Sequence, residues 1–271
     1  MKVLVIDRDR DACEQLQTTL EAAKIEVTFE PTKNNAIELA KKGAFDVIII
    51  DPAPANEMRS FIMGVRRSTN SFPPILVTSH TFAAADVAKA GGNEFIKKPI
   101  DKDELLKKIQ NAARITEASR LMADESEDFP SKEGLIAKSA FNQLFITCLD
   151  RADRHGEKSF LIFVSVDNLS QIAVQDGQEQ ADKVANNLRR TISRTRRTSD
   201  IAGHIKKAEF CLLLLRPGRE DEPFLAANRF AESLKENIDL IATSPTKAIL
   251  KVWLLAIPSG EIPVEHVVQA P

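Results

Sequence analysis

Cysteine is scarce in this chain: Cys13, Cys148 and Cys211 are the only three among 271 residues. That number and scatter exclude a disulfide framework and a cysteine zinc site, and point to a reducing compartment. No apolar run approaches the ~20 residues that span a bilayer. The chain opens straight into a strand-like MKVLVID, without a charged and then apolar leader. Charge of one sign is missing too. Lys and Arg number 37 against 39 Asp and Glu, a net charge of −2, which excludes a global pull toward nucleic acid or a membrane surface. The expectation is a cytoplasmic protein of two domains, each burying its own core.

What is present in the first half is alternation. Short apolar runs at Val3–Ile6, Ile25–Phe29, Val47–Ile50, Ile75–Val77 and Phe95–Ile96 read as strands. Helical patterns lie between them, as at 11–23 (Cys13, Leu16 and Leu20 on one face) and 35–42. A last helix starts at an N-cap Asp101 with Glu104 three residues on, and its apolar stripe is Leu105, Ile109, Ala112 and Ala113. Such strand–helix alternation predicts an α/β fold, a doubly wound parallel sheet with functional groups at the carboxyl ends of its strands.

The polar residues at those ends come in order: Asp7, Asp51, Thr78 and Lys98-Pro99. In this order the half resembles a response regulator receiver domain of the (βα)5, CheY-like kind. The resemblance implies Asp51 as phosphoacceptor and Asp7, Asp9, Thr78, Phe95 and Lys98 as switch and support residues. It also implies Mg²⁺ held by acidic residues, with Asp7 and Asp51 the available ones, and a sensor histidine kinase as partner. The sequence departs from the family after strand one, where two adjacent acids are usual. Here Arg8 follows Asp7, and the next acid is Asp9. Arginine stays protonated and cannot bind Mg²⁺, but it could pair with Asp51 and imitate a neutralised site. The loop after Asp51, PAPANEM, departs as well. Phosphorylation of Asp51 is left open.

From about Ile115 the chain becomes acidic and breaks at Pro130-Ser131. The expected organisation is a receiver domain over 1–116, a helical and acidic linker over 117–131 with a flexible joint near 128–131, and a second domain over 132–271.

In the second half, Ile201, Gly203 and Ile205 alternate, a polar turn follows at Lys206-Lys207-Ala208, and Phe210–Leu215 is continuously apolar. This predicts a β-hairpin whose second strand is buried on both faces. An Arg197-x-x-Asp200 element precedes it. Upstream lie GLIAKSAF from Gly134 and a strand 160–166 ending in SVDNLSQI. Helices follow at 178–196 and 222–237, and a strand at 248–256. With these segments the half resembles the GGDEF, or diguanylate cyclase, family, with a mixed α/β sheet expected. Where that family has its two turn glycines and an acid, this chain has Lys206, Lys207 and Ala208, followed by Glu209.

The resemblance implies a degenerate catalytic centre. The first metal carboxylate falls on Ser165 and the second on Ala208. The guanine-recognising asparagine falls on Ala173, and a motif lysine on Ser170. Asp167, Asp182 and Glu209 persist, but cyclase chemistry needs two divalent cations held by carboxylates. The family's final helix, with phosphate-binding lysine and arginine, would lie beyond Pro271. No catalytic residue and no second-domain metal is therefore expected. The Arg-x-x-Asp element at this offset implies a cyclic di-GMP site through Arg197 and Asp200, with Arg229 as a second arginine unless Ser233 takes its place. A planar guanidinium suits phosphate and the guanine edge; a plain surface ion pair is the alternative. Lys206 and Lys207 read as hairpin-tip lysines or as phosphate contacts. The arginines from Arg189 to Arg197 read as one helix end, without a nucleic-acid motif.

The expected function is a non-enzymatic, two-component signalling protein of bacterial type: a receiver joined to a GGDEF-like domain that senses cyclic di-GMP or docks a protein partner. A scaffold that binds no nucleotide and a weak cyclase are the alternatives. A homodimer is compatible; no membrane or nucleic-acid partner is expected.

Overall fold

The computed structural model describes residues 1–43, 45–52, 57–69 and 72–269. The chain divides into two compact units. One is Met1–Arg120 with Cys148–Glu157 and Ile257–Glu261; the other is Leu121–Thr147, Lys158–Ala256 and Ile262–Pro271.

The first ten elements are β1 (Lys2–Ile6), α1 (Arg10–Ala22), β2 (Glu26–Phe29), α2 (Lys33–Lys42), β3 (Val47–Ile50), α3 (Met58–Ser68), β4 (Ile75–Ser79), α4 (Ala84–Ala90), β5 (Glu94–Lys97) and α5 (Lys102–Ala123). Their strands form a parallel sheet in the order β2-β1-β3-β4-β5. Side chains alternate across a strand, so each apolar run serves two cores. Val3 and Val5 pack with Leu16 and Leu20 of α1 and Leu105 and Ile109 of α5. Leu4 and Ile6 pack with Phe61, Ile62 and Val65 of α3 and Val87 of α4. The expected N-cap is in place: Asp101 Oδ1 accepts from the Glu104 amide at 2.8 Å. Glu104 itself pairs with Lys108 at 3.2 Å. Thr78 lies inside β4, not after it, because pairing with β5 carries that strand on to Ser79.

The remaining elements are β6 (Ile136–Ala137), α6 (Lys138–His155), β7 (Ser159–Val166), α7 (Leu169–Asp176), α8 (Gln178–Thr195), β8 (Ile201–Lys206), β9 (Glu209–Leu215), α9 (Glu222–Glu236), α10 (Ile238–Ile241), β10 (Ile249–Ile257) and β11 (Val264–Gln269). The sheet is mixed, in the order β11-β10-β7-β9-β8-β6. Ile162 and Val164 of β7, Phe210 and Leu212 of β9, and Leu250, Val252 and Leu254 of β10 bury one face against α8 and α9. The predicted helix period holds on α8, where Ala181, Val184, Ala185, Leu188 and Ile192 are buried.

The segment expected to be a flexible joint is fastened within its unit. Phe129 stacks on His204 with ring centroids 3.9 Å apart. Asp128 Oδ1 accepts from the Ser139 amide at 3.3 Å, and Ser131 Oγ from the Ala137 amide at 3.0 Å. Aromatic stacking and side chain–backbone hydrogen bonds supply the order that composition does not reveal.

Gly203 on β8 lies against the buried Phe141 ring, and a Cβ there would meet the ring at 2.6 Å. Gly203→Ala should therefore destabilise the second unit by about 1–3 kcal/mol through overpacking. A lower urea midpoint with an unchanged slope would register it; an unchanged midpoint would contradict it.

Candidate functional sites

The carboxyl ends of β1, β3, β4 and β5 bring the first group together. Lys98, on the turn after β5, is buried and donates to Asp7 Oδ2 at 2.7 Å and to Asp51 Oδ2 at 2.6 Å. Asp9 Oδ2 lies 3.7 Å from the same ammonium. Burial opposes charge on Lys98, yet the hydrogen bonds and charges of Asp51 and Asp7 outweigh it and raise its pKa. The buried Thr78 hydroxyl donates to the Ile50 carbonyl at 3.4 Å. Phe95 is half-buried, and its carbonyl accepts from Lys108 at 2.5 Å.

One expectation needs correcting at this site. Arg8 sends its Nε to the Pro31 carbonyl at 3.4 Å, and the cation bonded to Asp51 is Lys98. Asp9 is a helix cap: its Oδ1 accepts from the amides of Asp11 at 3.1 Å and Ala12 at 3.3 Å. The bond from Ala12 is the main reason its pKa is lowered. Of the PAPANEM loop, residues 53–56 lie outside the described residues. Asp7 and Asp51 are hard oxygen donors, consistent with Mg²⁺ binding. Among the described residues, no group of three or more His, Cys, Asp or Glu is arranged to hold a metal ion.

The second group surrounds the β8–β9 turn. Ser165 near the end of β7 stands opposite Glu209 in the sheet, and Ala208 is buried, its carbonyl accepting from the Val166 amide at 3.0 Å. The three surviving carboxylates each face a lysine. Asp167 meets Lys251 at 3.0 Å, Glu209 meets Lys206 at 3.7 Å, and Asp182 pairs with Lys207. Desolvation raises the Glu209 pKa against the pull of Lys206, and the bond from Lys207 lowers that of Asp182. These groups, except Asp182, line a cleft of about 570 Å³. Lys251 escaped the sequence reading. Its signal is a charged residue on the less buried side of an otherwise apolar β10.

The third group lies at the end of the β8–β9 hairpin away from that turn. Asp200 Oδ2 accepts from the Arg197 backbone amide at 2.8 Å and from Arg229 Nη2 at 3.1 Å. Arg229, not Ser233, is the residue of α9 that pairs with Asp200; Ser233 Oγ is 2.6 Å from Thr195 Oγ1. Arg197 and Arg229 border a cavity of about 650 Å³ that also includes Leu213, Arg219 and Leu225. The arginine run is not a single cluster. Arg189 is buried on Glu133 at 2.5 Å, and Arg196 lies over Gly134, where a Cβ would meet its Nη2 at 1.5 Å.

Comparison with known families agrees with both halves. The family described as response regulator receiver domain matches residues 3–110, and the family described as diguanylate cyclase, GGDEF domain, matches residues 132–252. The chain joins a receiver domain to a GGDEF domain. Among curated proteins, the transcriptional regulatory protein DltR of Streptococcus agalactiae is 24% identical over 151 residues, 51% of this chain and 67% of that protein. The cyclic di-GMP phosphodiesterase NbdA of Pseudomonas aeruginosa is 25% identical over 112 residues, 41% of this chain and 14% of that protein. Among solved structures, the chemotaxis response regulator CheY4 of Vibrio cholerae is 29% identical, covering 41% of this chain and 97% of that one, with a TM-score of 0.38. The receiver domain of sensor histidine kinase PA1611 of Pseudomonas aeruginosa, solved with magnesium in its active-site cleft, is 19% identical. It covers 41% of this chain and 96% of that one, with a TM-score of 0.38. A receiver beside a GGDEF domain supports a cyclic di-GMP signalling protein. Among the described residues, no helix is long and apolar enough to cross a membrane.

Lys98 is the cation that lets Asp7 and Asp51 share the receiver site. Lys98→Met leaves two carboxylates facing each other and should lower receiver stability by about 2–3 kcal/mol at pH 7. Urea midpoints of both proteins at pH 7 check this; equal midpoints would contradict it.

Proposed function

We propose that this protein is a non-catalytic cyclic di-GMP signalling protein, whose receiver domain is coupled to a GGDEF domain that works by binding. The observation that carries the reading is the convergence of Arg197, Asp200 and Arg229 on one cavity. A guanidinium offers bidentate contact to a phosphate or to the guanine O6/N7 edge, and Asp200 is an acceptor for base N–H groups.

Catalysis is argued against by the other cleft. Two divalent cations beside a triphosphate need several anionic oxygens, and Ser165 and Ala208 supply none. Glu127 and Glu265 also line the cleft, but Asp167, Glu209 and Asp182 are each engaged by a lysine, so a dication bound at any of those three would first have to displace an ammonium. In the receiver, Asp51 is the proposed phosphoacceptor. Asp7 and Asp51 would hold Mg²⁺, which offsets charge during phosphoryl transfer from a kinase. Lys98 and Thr78 would then meet the new phosphoryl oxygens. Cytoplasmic location follows from this role.

One observation favours a second reading, a scaffold blind to nucleotide. Asp200 already satisfies the Arg197 amide and Arg229 within the chain, as a structural surface pair would.

Calorimetric titration with cyclic di-GMP separates the two. Saturable heat is expected for the wild type, with affinity at least about tenfold weaker in Arg197→Ala, the effect of losing one charged hydrogen bond. No heat with either protein would leave the scaffold. Incubation with GTP and Mg²⁺ or Mn²⁺ should yield no cyclic di-GMP; steady turnover would overturn the non-catalytic reading. Acetyl phosphate with Mg²⁺ should label the wild type and not Asp51→Asn; equal labelling would remove Asp51 as acceptor.

A further inference from the structure

The outer face of α8 carries Arg190 and Arg194 one helical turn apart, and both are exposed. With Arg229 they line a groove of about 540 Å³ between α8 and the α9–α10 segment. None of the residues lining the groove is acidic. Among the described residues, Arg190 and Arg194 make no ion pair or hydrogen bond through their guanidinium groups. Arg229 spends one Nη on Asp200, while its Nε is buried without a hydrogen-bond partner among the described residues. Thr195 and Ser233, bonded at 2.6 Å, tie α8 to α9 beside the arginines, and Leu240, 64% exposed, offers an apolar contact.

Like charges at i, i+4 repel and weaken a helix, and a groove adding a third guanidinium compounds the repulsion. Elsewhere in this unit the exposed lysines of the hairpin turn have carboxylate partners. Here the described residues supply none, although unpaired donors in a concave site are what phosphate oxygens bind. The volume falls within the ~300–1,000 Å³ range of small-ligand clefts. No aromatic side chain lines the groove for stacking on bases, which disfavours a nucleic-acid strand.

We infer that the α8–α9 groove is a binding site for a small phosphorylated molecule, whose phosphoryl oxygens are held by Arg190, Arg194 and Arg229. The site is separate from the Arg197 cavity, although the two border the same Arg229 side chain. It does not rest on cyclic di-GMP binding.

The test is calorimetric titration of the full chain with inorganic pyrophosphate at low salt. The wild type, the double variant Arg190→Gln/Arg194→Gln and Arg197→Ala are compared. The wild type and Arg197→Ala should bind alike, and the double variant at least tenfold more weakly. Pyrophosphate should also raise the melting temperature of the wild type and not that of the double variant. Because both replaced arginines are exposed and unpaired, the double variant should melt at or above the wild-type temperature without ligand. If it fails to fold, Arg194→Gln alone, titrated in the same way, decides. Absent binding, binding equal in all three proteins, or loss confined to Arg197→Ala would each overturn the inference, as would binding of polyuridylate without pyrophosphate. Cyclic di-GMP titrated against the same variants reports on the Arg197 cavity independently, so either site can fail while the other stands.

Discussion

Lys98 holds Asp7 and Asp51 together at the carboxyl edge of the first sheet, with hydrogen bonds of 2.7 and 2.6 Å. The GGDEF domain repeats the device around its hairpin, where Lys206, Lys207 and Lys251 face Glu209, Asp182 and Asp167. An ammonium is a compact cation with three donors, content with one or two oxygens; a magnesium ion demands near-octahedral oxygen coordination. A carboxylate bonded to lysine is therefore neutralised without the oxygen cage that a metal ion needs, and a metal ion binding there has to compete with the ammonium. In the receiver, two carboxylates to one buried lysine keep an excess of negative charge. The GGDEF cleft is lined by Glu127 and Glu265 as well as Asp167 and Glu209, and the two positions where the family carries its metal carboxylates hold serine and alanine.

Arginine behaves differently from lysine in this chain. Arg189 is buried on Glu133, Arg196 folds over a glycine, and Arg229 is shared between an aspartate and two cavities. Arg190, Arg194 and Arg197 present unpaired guanidinium groups among the described residues. The GGDEF domain thus separates a cleft of lysine–carboxylate pairs at the hairpin turn from arginine-lined surfaces.

Much of the fold was legible because burial leaves a period in the sequence. The five apolar runs of the receiver each became a strand, and the α8 stripe and the hairpin fell where alternation put them. β4 ran on to Ser79 because strand length depends on a neighbour's register, which no local pattern encodes. The segment at Asp128–Ser131 read as a joint from its proline, serine and acids. Its anchor is a histidine some seventy-five residues away, and a stack of that kind has no local signature. Arg8 looked like the partner of Asp51 by adjacency to Asp7, yet the strand end turns it toward Pro31.

What the sequence determined by itself is which atoms are available. A chain with serine at 165 and alanine at 208 has no carboxylate at those two positions however it folds. The apolar periods already predicted the parallel sheet of the first half; the mixed sheet of the second is what its resemblance to the GGDEF family implied. Only the tertiary structure decided which charge meets which: Lys98 with Asp7 from 91 residues away, Arg229 with Asp200 from 29. It also left Arg190 and Arg194 without a carboxylate. Ion pairing depends on distance in space and on what else crowds the site, and neither is written in the order of residues.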